Sequence, residues 1–299
     1  MAIKDLIIGN ATGYDWNDLK YWVNSIKKTG FDGDVVLTGT NMTKETIDKL
    51  TENGVELALY GTQQDNGDVT APNNNAPHVE RFFYMWNALN NTKTQYRYVI
   101  TTDTRDVVFQ SNPTDWLVDN IYMYNMVASS EGMKYKNEPW GNQNLLETFG
   151  PFFHNMLKDS YIFNVGVIAG EFLTVKGLML LLFQMSINRP IPIVDQAVYN
   201  FLIQNPPFST ETFLTNNSDG WSIQLGTTLE AVKAGSGDLG LNFGTDPTKQ
   251  MMYQMNYEDN QPKFENGIVK THEGKQFVVV HQYDRIPSLK AEIQKIYGE

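Results

Sequence analysis

The chain has 299 residues, 41% of them hydrophobic and 12% aromatic, a formal net charge of −11 and no cysteine. This hydrophobic content is ample for a globular core and excludes disorder as the default, while the acidic balance argues against general nucleic-acid or anionic-membrane binding and leaves room only for a small basic pocket for one phosphate. The absence of cysteine excludes a disulfide framework, a thiolate nucleophile and a zinc–thiolate site together.

Residues 6–8 read as a first strand, with no signal-peptide core ahead of them. Residues 15–28 carry Leu19, Trp22, Val23 and Ile26 at helical spacing, and Gly30 follows as a stop. A second strand is predicted at 35–37, a second helix at 43–51 with a weak Thr43-x-x-Thr46 cap, and a third strand at 55–60. This alternation is that of a βαβ sheet. Residues 61–75 are polar and rich in Gly and Asn, and are predicted to be a mobile loop. A third helix at 77–89 and a fourth strand at 96–102 follow. Further on, 125–129 reads as a strand, 143–157 as mostly helix, 163–169 as a strand, and 171–187 and 194–204 as helices. The longest apolar run, 178–183, is far too short to span a bilayer, so a soluble, cytoplasmic protein is expected, and the Asn-x-Ser/Thr matches at Asn10, Asn41, Asn90 and Asn216 read as chance. Residues 209–257 are predicted to be irregular. Asn266-Gly267 between Phe264 and Ile268-Val269 predicts a hairpin turn, 277–280 a buried strand and 288–297 a closing helix. Neither an internal repeat nor a proline-rich linker divides the chain, so one domain over 1–299 is expected, its first half built on a nucleotide-type sheet.

The fourth predicted strand runs into Ile100-Thr101-Thr102-Asp103-Thr104-Arg105-Asp106-Val107, where two carboxylates and a guanidinium interrupt an apolar element. Arg105 could simply pair with a neighbouring aspartate and cap the strand end. Position favours a ligand site, because open α/β sheets bind ligands outside the carboxyl ends of their strands. Asp103 and Asp106 offer the hard oxygens that a metal-held diphosphate needs, but in an extended strand they face opposite ways, so a bend at Thr104-Arg105 is required. In Val278-Val279-Val280-His281-Gln282-Tyr283-Asp284-Arg285 a second apolar strand ends in polar groups, and His281 is its candidate metal ligand. Carboxylates with one imidazole would suit manganese somewhat better than magnesium. Gly166, within Phe163-Asn164-Val165-Gly166-Val167, marks either close approach of a ligand or tight packing. Asp195 reads as a helix N-cap or, in a cleft, as a group facing a sugar. Phosphate-binding loops, dinucleotide turns, nucleophile elbows and His-Glu-x-x-His helices are all absent, and Arg105 stands where a haloacid-dehalogenase phosphatase would need its second aspartate.

The order of these elements resembles the GT-A glycosyltransferases, nucleotide-sugar-dependent enzymes with an Asp-x-Asp-type motif ending a mid-chain strand. The stretch 102–110 with Asn112-Pro113 looks like the Asp-x-Arg-Asp variant of transferases from plants and large algal viruses, and Asn164-Val165-Gly166-Val167, Asp195-Gln196 and His281 resemble landmarks of the galactosyltransferase-like branch. The resemblance implies a Rossmann-like mixed sheet flanked by helices, with 1–110 binding the nucleotide sugar and 111–299 the acceptor. It implies a hexosyl- or pentosyltransferase moving sugar from a UDP- or GDP-sugar to a hydroxyl of a glycan or other acceptor, with Mn2+ or Mg2+ as cofactor. Carried over by residue, Asp103 and His281 would hold the metal, either Asp106 would take the second acidic position or Arg105 would contact the donor directly, and Arg81 would reach the donor. Asn10, Thr12 and Tyr14 would meet base and ribose, Asn164 would line the donor site, and Asp195 and Gln196 would lie near the reactive carbon. Inversion would need a base, with Glu131 or Glu138 in a loop over 130–144 as candidates. Trp140, Tyr135 and Trp221 are candidate acceptor platforms. Two other classes stay open: a sugar-1-phosphate nucleotidyltransferase, which would want a basic loop where Gly9 to Tyr14 has no lysine or arginine, and a non-catalytic carbohydrate-binding protein.

Overall fold

The computed structural model describes residues 4–72, 76–237 and 246–298. β1 (Lys4–Thr12) is apolar on both faces: Leu6 and Ile8 pack into one core and Ile7 into the other, which places the strand in mid-sheet. α1 (Trp16–Lys28) starts at a capping box between Asp15 and Asp18 and buries its Leu19, Trp22, Val23 and Ile26 stripe. β2 (Asp34–Thr40), α2 (Lys44–Glu52) and β3 (Glu56–Leu59) continue the pattern, and β1, β2 and β3 pair in parallel. The polar stretch expected to be a loop holds a small hairpin, β4 (Thr62–Gln63) with β5 (Val69–Thr70), tied to Met42 by two backbone hydrogen bonds of 2.9 Å. Residues 73–75 of that stretch lie outside the described residues.

α3 (Pro77–Asn91) and β6 (Tyr96–Thr102) lead to the acidic motif, and the chain re-enters as β7 (Val107–Phe109) before α4 (Pro113–Asn120). β8 (Met126–Lys134), α5 (Pro139–Leu157), β9 (Tyr161–Glu171), α6 (Phe172–Ser186) and α7 (Asp195–Ile203) follow. β8 runs past the predicted 125–129, so Glu131 sits on a strand and not in the expected loop. The Ser, Glu and Gly in its second half hide the apolar pattern, yet the strand is paired with β9 across two register shifts.

The stretch 209–257, expected to be irregular, contains β10 (Thr212–Thr215), β11 (Ser222–Gln224), α8 (Leu229–Lys233) and α9 (Pro247–Asn256). These elements are mostly too short to display a period, and pairing partners far away in sequence define the strands. Residues 238–245 of that stretch lie outside the described residues. β12 (Lys263–Glu265) and β13 (Ile268–Lys270) form the predicted hairpin, with Asn266 and Gly267 at φ 51° and 77° as a tight turn requires. β14 (Val279–His281) and α10 (Pro287–Tyr297) end the described chain.

The main sheet has seven strands in the order β10-β8-β9-β6-β1-β2-β3, mixed because β9 runs antiparallel to both its neighbours. One core packs α3, α6 and α7 on one face, and a second packs α1 and α4 on the other. A separate three-stranded sheet, β11-β14-β7, carries a third core with α10. The acidic motif is the link between the two sheets, since β6 ends in one and β7 begins in the other.

Candidate functional site

At the end of β6, Trp22 Nε1 donates to Thr102 Oγ1 at 2.9 Å within the core, and the Asp103 N–H donates to Gly166 O at 2.8 Å. The chain then leaves the sheet: Thr104 Oγ1 donates to Asn10 O at 3.0 Å, and Asp106 O accepts from the Gln282 N–H at 2.8 Å. This is the required bend, and it brings Asp106 to the same side as Asp103. In the second sheet β14 pairs antiparallel with β7 so that His281 lies opposite Val107. One ligand atom from each of Asp103, Asp106 and His281 falls within 4.8 Å of the others. His281 Nε2 stands 3.4 Å from Asp103 Oδ2 and 3.7 Å from Asp106 Oδ1. Gly166 is the floor: a Cβ there would overlap the His281 ring and lie 2.8 Å from Asp103 Oδ2. Its bare Cα therefore marks close approach of these two side chains.

Arg105 takes no place in this cluster. Its half-exposed guanidinium turns to the cleft rim, 3.6 Å from Asp284 and 3.9 Å from Asp106. Arg81, from α3, bridges two carboxylates, donating through Nη1 to Asp103 Oδ1 and through Nη2 to Asp195 Oδ2 at 2.8 Å. Burial alone would raise the Asp103 carboxyl, but the Arg81 guanidinium, joined by His281 when its ring is charged, outweighs it and holds the group well below the usual carboxylate range. Asp106 goes the other way, because burial and the neighbouring Asp103 charge exceed the pull of His281. Burial also raises the Tyr14 phenol.

The cluster opens into a cleft of about 620 Å3. Asn10, Thr12, Tyr14, Arg81 and Arg105 line it, as do Asn164, Asp195, Gln196, Glu131 and Trp140. Asn10 is held by its Nδ2, which donates to Thr38 Oγ1 at 3.0 Å. Asn164 Nδ2 donates to Glu131 Oε1 at 2.7 Å, and Asn164 Oδ1 accepts from the Gly166 N–H at 2.7 Å, tying the Glu131 side of the cleft to the cluster. Asp195 is no N-cap: Val194 holds that position without a side-chain bond, and Asp195 is the first helical residue, engaged by Arg81. Glu138 lines the cleft but is the N-cap of α5, accepting from Trp140 N at 3.1 Å and from Gly141 N. Trp221 and Tyr135 are wholly buried and present no platform to an acceptor; their ring volume fills core positions instead. Trp140 alone of the three aromatic candidates faces the cleft.

Sequence reasoning missed Gln224, His78, Ser236 and Arg285. Arg285, His78 and Ser236 line the cleft, and Gln224 Oε1 lies 2.6 Å from His281 Nδ1. Arg285 ends the polar stretch after β14 and was legible there; Gln224 has no local signal, because only its strand pairing brings it to His281.

No protein-family model and no curated protein matches the sequence. Among solved structures, the WbbM bifunctional glycosyltransferase superposes with a TM-score of 0.57 at 10% identity over 98% of this chain and 50% of its own, so the chain spans about half the length of that protein. The galactosyltransferase LgtC, in complex with donor and acceptor sugar analogues, gives a TM-score of 0.49 at 14% identity over 92% of this chain and 86% of its own. The glycosyltransferase GlyE of Streptococcus pneumoniae TIGR4 gives 0.48 at 11% identity over 94% and 55%. The likeness to WbbM is one of fold: the chain has the mixed α/β architecture of a GT-A-type glycosyltransferase.

Proposed function

We propose that the protein is a metal-dependent glycosyltransferase that moves a sugar from a nucleoside-diphosphate sugar to a hydroxyl acceptor. The observation that carries this reading is the Asp103, Asp106 and His281 cluster, open to a large cleft at the junction of two sheets in a glycosyltransferase fold. The donor set fits a divalent cation: two carboxylates and an imidazole converge where burial and mutual repulsion already hold Asp106 up. Mn2+ suits that mixture, with Mg2+ as the substitute. When bound, the cation would stabilise charge on the departing nucleoside diphosphate.

The chain's own groups then divide the work. Asn10 and Thr12, at the carboxyl end of β1, and Tyr14, just beyond it, line the cleft and would meet the nucleoside of a UDP- or GDP-sugar. Arg105, half-exposed at the rim, would supply a guanidinium to the diphosphate. Arg81 fixes Asp103 and Asp195 relative to each other, so that the cation and sugar ends of the donor share one frame. Asp195, Gln196 and Asn164 border the sugar. Glu131, on the acceptor side with Trp140, takes the acceptor proton if the reaction inverts. The nucleotidyltransferase alternative lacks support, since the loop after β1 carries no lysine or arginine to hold a triphosphate.

The test is a thermal-shift panel of nucleotide sugars with and without Mn2+, followed by donor hydrolysis or transfer assays. A ligand that binds the native state raises the melting temperature. A UDP- or GDP-sugar is expected to do so only with the cation, and Asp103→Ala is expected to abolish both shift and turnover. Absence of any shift or turnover with every nucleotide sugar and metal would overturn the proposal.

A further inference from the structure

Gln224 and His281 are a cross-strand pair in the small sheet, placed in register by the parallel pairing of β11 with β14. Both side chains are buried, and Gln224 Oε1 lies 2.6 Å from His281 Nδ1. The other end of the amide is also engaged, Nε2 donating to Ser222 Oγ at 3.2 Å. A neutral imidazole has one N–H and one lone pair, and an amide oxygen can only accept. From this we infer that Gln224 is a positioning residue that keeps the ring proton on Nδ1 and thereby presents the Nε2 lone pair to the space shared with Asp103 and Asp106.

The alternative tautomer would be the natural one for a purely structural histidine here. With the proton on Nε2, the ring would donate toward Asp103, 3.4 Å away, and would close the position that a cation needs. Gln224 selects against that arrangement. It does so without charge, in a region where Asp103, Asp106 and Asp284 already gather, whereas the carboxylate that often backs a metal-bound histidine would add a further negative group. The inference rests on the cation reading of the site, but its central claim, which nitrogen holds the proton, is observable without turnover.

The experiment uses the full chain with 15N-labelled histidine, and the His281 signal among the four histidines is identified by its loss in His281→Gln. Ring-nitrogen NMR, metal-free and with Mg2+ as the diamagnetic probe, is expected to show Nδ1 protonated in both. In Gln224→Met, which keeps the volume and removes the acceptor, the Nδ1 proton is no longer fixed, and Mn2+ affinity measured by EPR titration falls about 10- to 100-fold. Gln224→Glu restores the acceptor and is expected to recover the Nδ1 signal and bring Mn2+ affinity to within a few-fold of the parent, which separates positioning from loss of packing. A neutral ring protonated on Nε2, or unchanged Mn2+ affinity in Gln224→Met, would overturn the inference. If the parent protein binds no Mn2+, the cation reading of the site falls, while the ring-proton signal still decides for or against Gln224.

Discussion

At the scale of single residues, the site depends on what is absent as much as on what is present. Gly166 leaves room for both Asp103 and His281, and Gly166→Ala fills the place where the two side chains meet. The variant is expected to lose at least 10-fold in Mn2+ affinity by EPR titration, with turnover falling alongside. A second residue-level expectation concerns pH. Burial raises the Asp5 carboxyl, but hydrogen bonds from Arg97, Thr114 and the Tyr98 N–H more than compensate, and the group ends below its ordinary value of 3.8. A carboxyl held down in the folded state stabilises the fold above its unfolded pKa and loses that contribution as pH falls through the folded one. Asp5→Asn is therefore expected to lower stability by about 1–2 kcal/mol at pH 7. The gap to the parent should close steadily below pH ~4 in denaturant titrations; a gap independent of pH would refute this account.

At the scale of elements, strand and helix ends decide which carboxylates are available for chemistry. Glu131 and Glu138 are seven positions apart in sequence and both line the cleft, but one sits on β8 and the other caps α5. Glu138→Ala is expected to cost about 1 kcal/mol of stability through loss of the cap. Glu131→Gln is expected to leave stability nearly unchanged and to lower turnover about 100-fold or more if Glu131 is the base. Chemical denaturation and steady-state kinetics on the two variants separate the roles, and equal kinetic loss in both would remove Glu131 from the mechanism. Both predictions come from hydrogen-bond partners, which residue type alone does not disclose.

At the scale of the whole molecule, the site is a joint between two sheets, and a ligand that bridges the joint should stabilise the fold as a unit. The Mn2+–nucleotide complex, as one ligand at a hundred times its dissociation constant, is expected to add about 2.7 kcal/mol, and EDTA should remove the cation-dependent share. Differential scanning calorimetry of the holo and chelated protein checks this; a melting temperature indifferent to both additions would count against the joint as the binding site. The acidic balance of the chain, −11 overall, makes the local cations Arg81, Arg105 and Arg285 the chief positive charges at the cleft, which is why a single anionic ligand fits better than a polyanion.

Local physics made much of this legible from sequence. The apolar runs of β1, β6 and β14, the amphipathic stripe of α1 and the Asn266-Gly267 turn follow from periodicity and turn chemistry, which act over a few residues. The acidic motif at a strand end, its need for a bend, and His281 as its distant counterpart were likewise readable from residue type and position. Tertiary structure alone decided that Asp106 and not Arg105 joins Asp103, that Trp221 and Tyr135 are core rather than platform, and that Gln224 stands behind His281. The reason is physical: convergence of side chains is set by strand register and by the path of the chain between sheets. Those depend on pairing partners remote in sequence, β7 with β14 and β14 with β11, whose match no local pattern encodes.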